Sequence, residues 1–357
     1  MRIAMVIVDR ANWGRLAPLA KALSPVCDLQ LICAGSSVLS RFKCPADDIA
    51  AAGYNVAARL YHAVEGSTPE TMARGVGLGV IEFVSAFERI GPDIVLIIGD
   101  RSEALAAAIA AAYSNRCIVH LQGGELSGSI DESARHAITK LAHYHVPATQ
   151  AAADRIVRMG EGRDKILTIG CPSSDDRSNV FGGTHILVAY HPTTTHAESA
   201  ATEVGEVLWA VRDAGRKAVV MWPNIDAGST AVAKAMRAWR DDVPNTFTWI
   251  TNVAPSEYAD LISSAACCVG NSSSFVRDAG FYGTPVVLVG DRQEGREHGD
   301  NVRWMPAVFN GIAEAIVAQI THGRYAPNRL YGDGHVCERL VPRLLSLIPY
   351  AQKVFHD

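Results

Sequence analysis

Short apolar runs recur along this chain at IAMVIV (3–8), LQLIC (29–33), IVLII (94–98) and CIVHL (117–121), with helix-patterned segments between them. Apolar runs of this length without polar alternation read as strands buried on both faces, and strands of that kind separated by helices build a parallel sheet. HVPAT (145–149) and ILTIG (166–170) complete a first series. A polar stretch, DDRSNVFGGT (175–184), then reads as a linker. The pattern resumes at HILVAY (185–190), AVVMW (218–222), TFTWI (246–250), CCVG (267–270) and PVVLVG (285–290). With right-handed crossovers this predicts an α/β chain of two Rossmann-like, doubly wound parallel-sheet domains facing a cleft. At 357 residues there is enough chain for two cores. The expected boundaries are 1–173 and 182–340, with 341–357 a final helix packing back on the first domain.

In open parallel sheets a ligand sits beyond the carboxyl ends of the strands. IVLII ends in Gly99-Asp100-Arg101 and CIVHL leads into Gln122-Gly-Gly-Glu125, so Asp100, His120, Gln122 and Glu125 are expected at one crevice. Beyond them, Ser129 and Glu132 have capping-box spacing for a helix. Asp131 and Arg135 lie four apart on one face of it, which fits either an ordinary surface ion pair or a ligand-binding group. The glycine-rich approach GGELSG suits a binding loop. In the second half, Gly270-Asn-Ser272-Ser273-Ser274 follows a strand and opens a helix, an arrangement that offers N–H groups and hydroxyls to phosphate. Gly290-Asp-Arg292-Gln-Glu-Gly-Arg296 follows another strand and supplies cations for a diphosphate. These features together point to a nucleotide-sugar enzyme of unspecified reaction.

The net charge of −4 lacks the basic footprint of a nucleic-acid binder. No apolar run approaches the roughly 20 residues of a membrane span, and MRIAMVIVDR reads as a first strand, so a cytoplasmic protein is expected. Eight cysteines without CxxC spacing read as free, mostly buried thiols, and the histidines form no metal-ligand pattern. GVGLG (75–79) precedes a helical stretch instead of following a strand, so no NAD site is read from it. No cofactor and no metal is implied. The expected partner is a small nucleotide-sugar substrate, with neither nucleic acid nor membrane.

RANWGRL (10–16), GDR (99–101), GGELSGSIDESARHAITKLAHYH (123–145), GCPS (170–173), HPTTT (191–195), PNIDAGS (223–229), GNSSS (270–274) and GDRQEGR (290–296) together closely resemble the hydrolysing UDP-N-acetylglucosamine 2-epimerases of sialic acid pathways. The RANWG start looks like that hydrolysing branch. The resemblance implies a glycosyltransferase-B fold and a homodimer or homotetramer. It also implies C2 deprotonation, anti elimination of UDP to a 2-acetamidoglucal, and hydration to N-acetylmannosamine. Asp100 and Asp131 would be the acid/base carboxylates, with Arg135 beside them and His191 facing sugar or phosphate. Arg10, Ser272, Ser273 and Arg292 would meet the phosphates and Asp278 the ribose. Gly14, Arg101, Glu125, Asn224, Asp226 and Arg296 would complete the substrate wall. Three departures stand out: Gln122 where the wider superfamily often has a catalytic glutamate, Asp278 for a glutamate, and Asn12-Trp13 for Asp-Tyr. Gln122 exchanges no proton, so it would orient substrate or water, with Glu125 a candidate substitute. Other readings stay open: the same reaction on a UDP-linked diacetamido-trideoxy sugar or GDP-N-acetylglucosamine, a transferase of the same fold, or a non-catalytic nucleotide-sugar binder.

Overall fold

A computed structural model describes residues 1–175 and 180–356, so part of the expected linker, residues 176–179, lies outside the described residues. The first half runs β1 (Arg2–Ile7), α1 (Arg10–Leu23), β2 (Asp28–Ala34), α2 (Pro45–Ala51), β3 (Val56–Leu60), α3 (Pro69–Ile90), β4 (Ile94–Ile98), α4 (Ser102–Tyr113), β5 (Cys117–Leu121), α5 (Asp131–Leu141), β6 (Tyr144–Val146) and α6 (Gln150–Arg158). The second runs β7 (Ile186–Ala189), α7 (Ala200–Asp213), β8 (Ala218–Met221), α8 (Ser229–Asp242), β9 (Phe247–Ile250), α9 (Pro255–Ser264), β10 (Cys267–Gly270), α10 (Ser273–Tyr282), β11 (Val286–Val289), β12 (Val302–Met305), α11 (Phe309–His322) and α12 (Val336–Leu345).

Each half is a six-stranded parallel sheet, ordered β3-β2-β1-β4-β5-β6 and β12-β11-β10-β7-β8-β9. Every side chain of β4 and β5 is buried. Fully burying an aliphatic side chain is worth about 1.5–3 kcal/mol, which is why these two runs pair at the sheet centre. The strand order reverses between β1 and β4 and again between β7 and β10. Those two switch points place Asp9-Arg10, Asp100-Arg101, His191 and Ser272 at the carboxyl ends of the strands, where a doubly wound sheet opens a crevice.

Several local expectations differ from the structure. ILTIG forms no strand: Ile166 makes a single bridge to His145. β3 and β12, neither of them expected, each form one edge of their sheet, with β6 and β9 at the other edges. The final helix ends at Leu345, and residues 346–356 continue without helix against the first half. There Tyr144 donates to Ile348 O (2.9 Å), Tyr350 donates to His143 O (3.1 Å) and Lys353 Nζ meets Glu161 at 2.8 Å. GVGLG lies inside α3, where a Cβ on Gly79 would come within 3.0 Å of Ala106 on α4, so it serves close helix packing. All eight cysteines are free and six are buried. No helix among the described residues is long and apolar enough to cross a membrane.

Candidate active site

A cavity of about 700 Å³ lies between the two switch points. From the first half it is walled by Asp9, Arg10, Gly14, Arg15, Asp100, Arg101 and Asp131, and from the second by His191, Asn224, Tyr258, Ser272, Ser273, Ser274, Asp278 and Arg292. The site therefore needs both halves.

Asp100 and Asp131 share the acidic end and have opposite electrostatics. Burial alone would raise the Asp100 carboxyl, but the Arg135 and Arg296 guanidinium groups outweigh it and hold Asp100 far below the usual carboxylate range. Arg135, fully buried, grips Asp100 Oδ2 through Nε (3.1 Å) and Nη2, and also donates to Glu125 O and Ser127 Oγ. Asp131 at the start of α5 has no such clamp. Burial, then the charges of Asp100 and Asp226, push it up to about 6, with Arg292 and Arg101 pulling the other way. Its nearest cation is Arg292, Nη2 to Oδ2 3.8 Å, and Ser129 Oγ donates to it at 3.1 Å. Two neighbouring carboxyls are thus split into a fixed anion and a proton-exchanging group.

His191 follows β7 and is pinned by Asn271, which accepts from its N–H (2.8 Å) and donates to its carbonyl (2.7 Å). The Asn224 N–H donates to His191 Nδ1 (3.3 Å). Burial, reinforced by Arg292, Arg10 and Arg101, keeps the ring well below its usual pKa. A neutral ring that accepts at Nδ1 carries its proton on Nε2, so His191 is a hydrogen-bond donor and not a cation.

The opposite end suits an anion. Ser272 caps α10 without a side-chain capping bond, which leaves the N–H groups of the first turn for a ligand. The hydroxyls are ordered around it: Ser272 Oγ and Ser274 Oγ are 2.8 Å apart, Tyr258 OH meets Ser274 at 2.7 Å, and Arg15 Nη2 donates to Ser273 at 2.6 Å. Asp278, one helical turn on, accepts from Ser173 Oγ (2.8 Å), and burial raises its carboxyl despite nearby Arg15. Arg15, Ser173 and Tyr258 were not picked out from the sequence. Arg15 lies in the same helix as Arg10, but five residues on it is turned well away from Arg10, so helical spacing gives no signal for it. Arg10 reaches across the cleft and donates to the carbonyls of Trp222 (2.5 Å) and Thr251.

Five expected site residues do not line the cavity. Gln122 is buried with a positive φ of 63° and donates to Cys171 Sγ (2.8 Å), behind the wall. Glu125 receives Arg277 and, at 3.2 Å, Arg296, forming with Asp100 and Arg135 a buried ion cluster that spans both halves. Glu125 and Arg296 therefore pair with each other across the two halves. Arg135 pairs with Asp100 and not with Asp131. Asp226 is tied to Arg101. The capping box also fails: α5 starts at Asp131 with Ile130 as its N-cap, and Glu132 accepts from Ser127 N (2.7 Å) instead.

A family model described as UDP-N-acetylglucosamine 2-epimerase matches residues 22–345. The chain is 30% identical to the "UDP-N,N'-diacetylbacillosamine 2-epimerase (hydrolyzing)" of Legionella pneumophila, with 99% of this chain and 98% of that protein covered. It is 29% identical to the UDP-N-acetylglucosamine 2-epimerase of Neisseria meningitidis serogroup B over 93% of this chain and 91% of that one. Its fold is that of the Neisseria meningitidis UDP-GlcNAc 2-epimerase crystallised with UDP-GlcNAc, with a TM-score of 0.78 at 14% identity, covering 97% of this chain and all of that one. With two parallel sheets in the glycosyltransferase-B arrangement, an acid pair facing a serine- and arginine-lined end, and a family match over most of its length, this chain belongs to the UDP-N-acetylglucosamine 2-epimerase family.

Proposed function

We propose that the chain is a hydrolysing epimerase that converts UDP-N-acetylglucosamine to N-acetylmannosamine and UDP. The carrying observation is the placing of Asp131, a partly buried cavity-wall carboxyl beside Asp100 that lacks the guanidinium clamp of Asp100, in one cavity with the anion-binding end. The C2 proton of a saturated sugar is very weakly acidic. A carboxylate more basic than usual is better matched to remove it than an ordinary aspartate. Departure of UDP needs positive partners for the diphosphate, which Arg292, Arg15 and the first turn of α10 supply. His191 donates a neutral hydrogen bond, and Asp100 stays ionised to order the acidic end. Protonation at C2 and hydroxyl addition at C1 of the 2-acetamidoglucal complete the reaction. Gln122, off the wall, takes no proton in this scheme; its amide packs against the Cys171 thiol.

The hydrolysing outcome is supported by the RANWG start and by the printed name of the Legionella relative. That name also favours a second reading, the same reaction on UDP-N,N'-diacetylbacillosamine. Incubation with each UDP sugar and with GDP-N-acetylglucosamine, reading nucleoside diphosphate release and the freed sugar, decides between them. Release of N-acetylmannosamine from UDP-N-acetylglucosamine at the highest kcat/KM is expected. Faster turnover of the diacetamido sugar would move the assignment to it, and an unhydrolysed UDP-N-acetylmannosamine product would overturn the hydrolysing reading.

A further inference from the structure

Asp226 lies in the segment between β8 and α8, and that segment is fastened to the opposite half. Gly228 N donates to Ser67 O (3.0 Å), the Ser67 and Ser229 hydroxyls are 3.1 Å apart, and Thr230 Oγ1 donates to Ser67 Oγ at 2.8 Å. Ala227 N lies 3.2 Å from Met72 Sδ. This docking carries the Asp226 carboxylate across the cleft, where Arg101 holds Oδ1. Arg101 does not need it for charge balance. Glu103 already takes two of its nitrogens at 3.2 Å each, and Asp9 stands 3.7 Å away. The other oxygen, Asp226 Oδ2, is buried without a hydrogen-bond partner. Arg292 Nη2 stands 4.0 Å from it, the same nitrogen that lies 3.8 Å from Asp131. Leaving a buried carboxylate oxygen unpaired costs stability, and neither packing nor neutralisation of Arg101 accounts for it.

We infer that Asp226 is a positioning residue of the acid site: the docked segment sets it within reach of the same Arg292 nitrogen that faces Asp131, so that the cation is divided between the two carboxylates. This rests on the reading of Asp131 as the acid/base group. The groups facing Asp131 are Asp100 and Arg101 from the end of β4, Asp226 from the docked segment, Arg292 from the loop after β11, and the Ser129 hydroxyl. Removing the Asp226 charge ends a repulsion and leaves Arg292 to Asp131 alone. Both changes favour ionised Asp131.

The test is a carbon-13 NMR titration of aspartate carboxyls in the ligand-free protein, with the Asp131 signal assigned through Asp131→Asn. Asp226→Asn is expected to move the Asp131 midpoint toward acid by about one pH unit. The acid limb of kcat follows it, with KM little changed. Ser67→Ala, which weakens the docking without altering a charge, is expected to move the midpoint the same way by less, and it serves if Asp226→Asn does not fold. An unmoved Asp131 midpoint in a folded Asp226→Asn variant, or in Ser67→Ala if only that folds, overturns the inference. Absence of turnover by the unaltered protein on every nucleotide sugar would overturn the proposed function instead, while the titration would still decide the role of Asp226.

Discussion

Gly128 is one of the points where the two halves touch beside the site. Its N–H donates to Arg292 O (3.2 Å), so the loop after β5 and the loop after β11 are joined backbone to backbone. A Cβ at Gly128 would collide with the Asp291 carbonyl oxygen and stand 3.0 Å from its carbon and 3.3 Å from Glu294 Cβ. No side-chain rotation relieves a clash with backbone. In Gly128→Ala the loops must part by about 1 Å, breaking that bond and drawing Arg292 from Asp131, and misplacement on this scale costs about 100-fold in rate, or about 2.7 kcal/mol. The stability cost is much smaller, about 1 kcal/mol for the lost hydrogen bond, or a fall of roughly 1–2 °C in Tm for a chain of this size. Steady-state UDP release measured beside thermal melting separates the two. The expected result is a 100-fold loss of kcat/KM in a protein that still melts cooperatively near the parent temperature. A kcat/KM within about twofold of the parent would refute the claim that the two loops hold the site in register.

Asp131→Asn and Asp100→Asn should each lower kcat by about 10³-fold or more while calorimetry shows UDP affinity little changed; full activity in either would remove that residue from the mechanism. Because Asp131 sits at about 6 in the folded protein, above the 3.8 of an ordinary aspartate, its ionisation opposes folding: the cost is complete above pH 6 and vanishes as pH falls below about 4. Asp131→Asn should therefore be more stable than the parent by about 1–3 kcal/mol at pH 7.5 in urea unfolding, with the difference closing at pH 4. Glu125→Gln strands Arg277 and Arg296 in a buried cluster and should cost about 3–5 kcal/mol; a loss under about 1 kcal/mol would show the cluster to be replaceable. Lys353→Ala removes a pairing with buried Glu161 on the C-terminal tail and should lower Tm by a few degrees without altering kcat.

The central strands were legible because burial on both faces leaves only apolar residues. β4, β5 and β10 occupy the very runs read as IVLII, CIVHL and CCVG. β3 and β12 were not, because these two outer strands are partly exposed and their sequences, VAARL and VRWM, lose the apolar signal. ILTIG misled in the other direction. Leu167 and Ile169 pack on the first core from a loop, so apolar content reflects burial there and not pairing. At the site, acids and glycines at strand ends pointed to Asp100 and the Ser272 turn, because the switch-point rule depends only on strand order, and the helix-start spacing flagged Asp131, whereas His191 came only from the family resemblance. Partner choice did not follow from spacing. Arg135 passes over Asp131, four residues away, for Asp100, which the sheet brings from 35 residues away. Glu125 and Arg296 were sorted into the ligand wall because nothing in either segment shows that they meet each other across the interface.

The most direct test of the central claim is turnover of UDP-N-acetylglucosamine in deuterated water, followed by proton NMR and mass spectrometry of the freed sugar. Removal of the C2 proton and hydration of a 2-acetamidoglucal predict N-acetylmannosamine carrying deuterium at C2, formed at the rate of UDP release. N-acetylglucosamine with its C2 proton retained would contradict the account, since it would mean hydrolysis of the glycosyl bond without proton chemistry at Asp131.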